Sequence, residues 1–112
     1  MSRSKALAPI ADAAPIFAAL GDQTRLALVA RLGSGGPLSI AQLTAGSAVT
    51  RQAITKHLNV LEGAGLVRGS RQGRERVWEF EVARLQEARR CIDEISQQWD
   101  RALQRLQMFV ED

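Results

Sequence analysis

With 112 residues, 24% charged and 46% hydrophobic, the chain has the size and composition of one globular domain, which excludes a disordered tail. One Cys and one His exclude an internal disulfide framework, a four-Cys zinc site and a two-His zinc helix. No apolar run approaches the roughly 20 residues that cross a bilayer, and the opening MSRSKALAPI lacks the long apolar stretch of a secretory signal. The rings of 2 Trp and 3 Phe, with no Tyr, are too few to stack single-stranded bases. The expectation is a soluble, intracellular protein.

The net charge of +3 is unevenly placed. Residues 51–78 hold six basic side chains (Arg51, Lys56, Arg68, Arg71, Arg74, Arg76) against Glu62 and Glu75, whereas residues 79–112 hold five basic and eight acidic ones. A basic centre followed by an acidic end fits a surface for a polyanion on one side of the domain.

In chain order, residues 1–8 read as a flexible terminus and 9–112 as a single domain. Pro15 fits the first turn of a short helix, where its missing N–H costs nothing, and Ile16, Phe17 and Leu20 supply an apolar face. Asp22 caps a second helix with Leu26, Val29, Ala30 and Leu32 at helical spacing, and Gly33-Ser34-Gly35-Gly36-Pro37 stops it. That run lacks the Lys-Ser/Thr of a phosphate-binding loop and reads as a plain loop. Ser39 caps a short third helix ending near Leu43, with Ile40 and Leu43 facing inward, and Ala45-Gly46-Ser47 turns the chain. Thr50 caps a fourth helix with Ile54, His57, Leu58 and Leu61 along one side. Gly63 and Gly65 end it, one of them as a left-handed cap. A short helix, a tight turn and a second helix form a helix-turn-helix pattern.

Leu66 to Ser70 and Glu75 to Val82 read as two strands joined through Arg71-Gln72-Gly73-Arg74, with Trp78, Phe80 and Val82 alternating with Val77, Glu79 and Glu81. The expected fold is therefore mainly α with a small β-hairpin: a winged helix-turn-helix of four helices, a hairpin and a fifth helix. The fifth helix is expected over about 82–110, with Leu85, Ala88, Ile92, Ile95, Trp99, Ala102, Leu106 and Phe109 in alternating steps of 3 and 4, a heptad seam. At 1.5 Å per residue it is roughly 40 Å long, more than a domain of this size covers. A second copy is the expected cover, since leaving Trp99, Leu106 and Phe109 in water forgoes ~1.5–3 kcal/mol each. Folding of this helix back onto its own domain stays open.

The helix after Thr50 presents Thr50, Arg51 and Gln52, then Thr55 and Lys56 one turn on, opposite Ile54, Leu58 and Leu61. A recognition helix places such N-terminal residues at base edges of the major groove, where Arg grips guanine, Gln pairs with adenine, and Thr or Lys reaches a phosphate or a thymine methyl. Ser39 and His57 join them as candidate DNA contacts. In the hairpin, Arg68, Arg71, Arg74 and Arg76 fit contacts to the backbone or a minor groove, with Gln72 and Gly73 at the tip. The bland readings are a solvated helix face and a solvated hairpin tip; the adjacency of the two basic surfaces favours double-stranded DNA. Neither a Ser-His-Asp nor a Cys-His pairing has support, so the chain reads as a non-enzyme. Cys91, one place before Ile92, reads as a semi-buried inert thiol rather than an intersubunit disulfide or a sensor.

The runs FAALGDQTRLALVARL (Phe17 to Leu32), LSIAQL (Leu38 to Leu43) and TRQAITKHLNVLEGAGLV (Thr50 to Val67), with the Arg-rich hairpin ending in Val77-Trp78-Glu79-Phe80, together resemble the ArsR/SmtB-type winged-helix repressors over about residues 14–110. The resemblance implies a homodimer joined through the first and last helices, here through Ile16, Phe17, Leu85, Ile92, Ile95, Trp99, Ala102, Leu106 and Phe109. It also implies two recognition helices in successive major grooves and repression of a nearby operon, often with the regulator's own gene. The family's metal sensors carry a Cys-x-Cys pair near the third helix, or Asp, His and Glu on the last. Here Leu38 to Leu43 has no Cys and the last helix no His, so the chain is similar to the metal-independent members. No metal or other cofactor is expected, and the release signal is left unidentified. The expected partners are operator DNA, a second copy and an effector of unknown kind, in the cytoplasm at the nucleoid, with no membrane. A non-specific architectural DNA binder and a protein-interaction module using the last helix remain alternatives.

Overall fold

Three side-chain oxygens set the starts of three helices in the computed structural model, which describes residues 7–111. Asp22 Oδ2 accepts from the Arg25 N–H at 3.0 Å and opens α2 (Gln23–Gly35). Ser39 Oγ accepts from the Gln42 N–H while the Gln42 side chain accepts from the Ser39 N–H, a reciprocal pair that opens α3 (Ile40–Thr44). Thr50 Oγ1 accepts from the Ala53 N–H and opens α4 (Arg51–Gly63). Each oxygen satisfies an N–H that the first helical turn leaves without a partner.

Ahead of them lies α1 (Leu7–Leu20), where the structure corrects an expectation. Pro15 is inside this helix rather than in its first turn. Its ring removes one helical hydrogen bond, and the burial of Ala13, Ile16 and Ala19 offsets that loss. The terminus expected over residues 1–8 lies outside the described residues through position 6. In α2 the buried face is Leu28, Val29 and Leu32, with Leu26 and Ala30 exposed.

A two-residue strand, β1 (Leu38–Ser39), precedes α3 and has no counterpart among the expected elements. It pairs with β3 (Glu75–Phe80), which in turn pairs with β2 (Val67–Gln72), giving an antiparallel sheet in the order β1-β3-β2. Gly73 and Arg74 form the tip of the hairpin. The second strand, expected to run to Val82, ends at Phe80, and Val82 is the exposed first residue of α5 (Val82–Glu111), the expected start of that helix.

The core gathers Ile16 from α1, Leu28 and Leu32 from α2, Leu43 from α3, Ile54, Leu58 and Leu61 from α4, and Leu66 and Trp78 from the sheet region. Trp78, at 2% exposed, is the largest side chain enclosed. The beginning of α5 packs on α1, burying Ala88 and Cys91 and half-burying Leu85. Beyond Cys91 the helix leaves the domain, and the longest dimension of the chain is 67 Å. Among the described residues no helix is long and apolar enough to cross a membrane.

Candidate nucleic-acid interface

Because its N-cap stands at the protein surface, the first turns of α4 put Arg51, Gln52, Thr55 and Lys56 in solvent, back to back with Ile54, Leu58 and Leu61 in the core. The Thr50 hydroxyl accepts from Ala53 and keeps its own proton for an outside acceptor. Thr55 donates its hydroxyl to the Arg51 carbonyl oxygen at 3.0 Å and is itself exposed.

The hairpin stands beside this turn. Opposed residues in its register share a face, so Gly69 with Trp78 and Arg71 with Arg76 look to one side, and Arg68 with Glu79 to the other. A groove of about 480 Å³ separates hairpin from helices, lined by Ile40, Ala41, Arg51, Gly69, Ser70, Arg71, Arg74, Glu75 and Arg76. Arg71 and Arg76 stand directly opposite each other in the register, so both belong to the face of the hairpin that carries Trp78. Among the described residues Arg51, Lys56, Arg71 and Arg74 make no salt bridge, so their charge is uncompensated.

Four of the anticipated contacts are placed differently. Ser39 is 6% exposed and its hydroxyl is engaged as the cap of α3, so it does not reach the surface. His57 is half-buried and turned toward α2, its Nδ1 3.4 Å from Arg25 Nη1 and 3.9 Å from Asp22 Oδ2. Arg68 lies on the far face of the hairpin, hydrogen-bonded to Glu79 with Glu81 at 3.4 Å, contacts that raise its pKa further. Arg76 lies 3.7 Å from Glu62 and over the ring of Trp78. Sequence reasoning missed Ser70, which lines the groove, and Asn59, which is exposed beside Arg51 and Thr55. Both are uncharged and stand out in no pattern.

Among the residues expected at a dimer contact, Ile16 is fully buried in the core of its own domain and Leu85 is packed against that core. Phe17 is exposed, as are Ile92, Ile95, Trp99, Leu106 and Phe109, while Ala102 is half-buried. Leu103 is an exposed apolar residue beside them. Among the described residues no group of three or more His, Cys, Asp or Glu is placed to hold a metal ion.

A short helix, a turn and an exposed basic helix flanked by a basic hairpin define a winged helix-turn-helix DNA-binding regulator. Comparison with known proteins narrows the class. The helix-turn-helix domain family matches residues 20–70. The HTH-type transcriptional regulator YuzN of Bacillus subtilis is 45% identical over 71 residues, covering 58% of this chain and 77% of the relative. Rv2034 of Mycobacterium tuberculosis, also an HTH-type transcriptional regulator, is 39% identical over 85 residues, covering 76% of each chain. The solved structure of an ArsR-like transcriptional regulator from Rhodococcus sp. RHA1 superposes with a TM-score of 0.76 at 36% identity, covering 89% of this chain and 93% of that one. The chain belongs to the ArsR family of winged helix-turn-helix transcriptional regulators, which bind DNA.

Proposed function

We propose that the chain is a sequence-specific repressor that binds an inverted-repeat operator as a homodimer, its own promoter among the targets. The observation that carries the reading is the continuous basic surface from Arg51, Gln52 and Lys56 across the groove to Arg71 and Arg74, whose charges meet no salt-bridge partner among the described residues. In this reading α4 enters the major groove N-terminus first. Arg51 and Gln52 meet base edges, while Thr50 and Lys56 hold phosphates that the positive end of the helix also favours. The hairpin tip follows the adjacent backbone through Arg71 and Arg74.

The second copy is needed because α5 leaves Ile92, Ile95, Trp99, Leu103, Leu106 and Phe109 in water. Pairing two such helices buries them and sets two recognition helices about 34 Å apart, one turn of duplex. Repression results from occlusion of a promoter, and a non-metal signal that changes the geometry of the pair releases it. Fluorescence anisotropy with duplex from the region upstream of the gene, in excess random competitor, tests the reading. Binding that survives competitor supports it, and competition by random DNA at equal mass contradicts sequence specificity.

A further inference from the structure

Arg76 has the charge of a phosphate contact and the surroundings of a structural brace. Its guanidinium lies 4.7 Å from the centroid of the Trp78 ring, and its Nη2 lies 3.7 Å from Glu62 Oε1. The other oxygen of Glu62 accepts the main-chain N–H of Gly69 at 3.1 Å. Glu62 belongs to the last turn of α4, whereas Gly69, Arg76 and Trp78 belong to the hairpin, so one carboxylate joins the recognition helix to both strands of the wing. Gly69 leaves the room for this: a Cβ there would stand 2.8 Å from Arg76 Nε and 3.0 Å from the Trp78 ring. Trp78 is locked in the core, so the stack has a rigid floor.

We infer that Glu62 and Arg76 are positioning residues that fix the wing against the recognition helix, and that Arg76 is not a phosphate contact. Their pairing sets the distance between the base-reading turn at Arg51 and the backbone-following tip at Arg74, so that both engage one duplex together. A half-exposed ion pair contributes little to stability by itself. Its effect is on geometry, and it therefore appears in the preference for operator over other DNA. The inference rests on the DNA-binding reading and predicts an effect opposite in sign to simple electrostatics. Removing the Glu62 charge from a surface that meets a polyanion strengthens binding if only charge counts. If Glu62 positions the wing, removing it weakens binding to the operator alone.

The test uses the full chain and two duplexes: the best binder recovered from a random 30-base-pair pool by selection on the wild type, and a scrambled version of it. Enrichment of no duplex contradicts the DNA reading itself, a failure seen with the wild type before any variant is made. Glu62→Gln is expected to bind the selected duplex about tenfold more weakly, with scrambled binding unchanged or tighter. Arg76→Lys, which keeps the charge but not the planar stack, is expected to lose about as much. The double variant loses no more than either single one, the signature of a shared contact. Gly69→Ala, which changes no charge but displaces Arg76, lowers the same ratio; if that variant does not fold, Glu62→Gln still decides the question. Tighter binding of both duplexes by Glu62→Gln, with wild-type affinity retained in Arg76→Lys, overturns the inference.

Discussion

Arg84 Nε donates to the main-chain oxygen of Ala64 at 2.9 Å, tying the first turn of α5 to the residue that caps α4. The same guanidinium reaches Glu87 at 2.6 Å through Nη1, and its aliphatic stem lies over Gly65. Gly65 has a φ of 78°, which ends α4 by returning its N–H to Glu62 and that of Leu66 to Leu61. Loss of this tie is predicted to loosen the junction of α4 and α5. Arg84→Ala should cost about 1 kcal/mol in urea unfolding, and Arg84→Lys should restore only part, because an ammonium does not span both partners as the fork does.

Gly65→Ala should cost at least as much, about 1–2 kcal/mol, since the left-handed backbone strains any L side chain and the new Cβ meets Arg84 at 3.3 Å. An Ala variant as stable as the wild type would show that the cap conformation is not required.

The exposed seam of α5 predicts a concentration-dependent dimer. Trp99 is 65% and Phe109 81% exposed in the single chain, and covering such side chains contributes ~1.5–3 kcal/mol each. Light scattering should give twice the chain mass for the wild type and the chain mass for Trp99→Glu or Leu106→Lys. The domain core does not include either residue, so the circular dichroism of the domain should persist in both variants. A wild type that stays monomeric at high concentration would contradict the proposed pairing.

Asp22 gives a pH dependence with a defined sign. The Arg25 backbone N–H that donates to its carboxylate, with the Arg25 and His57 charges nearby, holds its pKa below the usual carboxylate value. A depressed folded-state pKa means a contribution present above the unfolded value, about 3.9, and lost as pH falls through the lower folded value. Asn caps helices nearly as well as Asp, so Asp22→Asn isolates the charge. In urea melts the wild type should be more stable than Asp22→Asn at about pH 5, and the gap should close toward about pH 2. A gap that stays constant over that range would contradict the assignment.

What the sequence makes legible is local. Asp22, Ser39 and Thr50 announce their helices because a cap and its N–H partner lie within three residues, and Trp78 announces its strand by alternation. Pro15 misleads because the compensation for its lost hydrogen bond is burial against other elements, which no short window displays. Strand β1 has too few residues for periodicity and exists through its pairing with Val77 and Trp78. The basic residues of the site are all legible, but the acidic partners of two of its arginines are not. Arg68 and Arg76 meet Glu79 and Glu62, partners that only the folded hairpin and its docking on α4 bring near.

The most direct test of a base-reading helix beside a backbone-following wing pairs two substitutions on opposite sides of the groove. Anisotropy is measured from about 50 to 200 mM salt on selected and scrambled duplexes. Arg51→Ala should cost ~1–3 kcal/mol on the selected duplex and relax preference at one base pair. Arg74→Ala should weaken both duplexes alike and reduce the slope of log affinity against log salt by about 1. Identical behaviour of the two variants on both duplexes would contradict that division of roles.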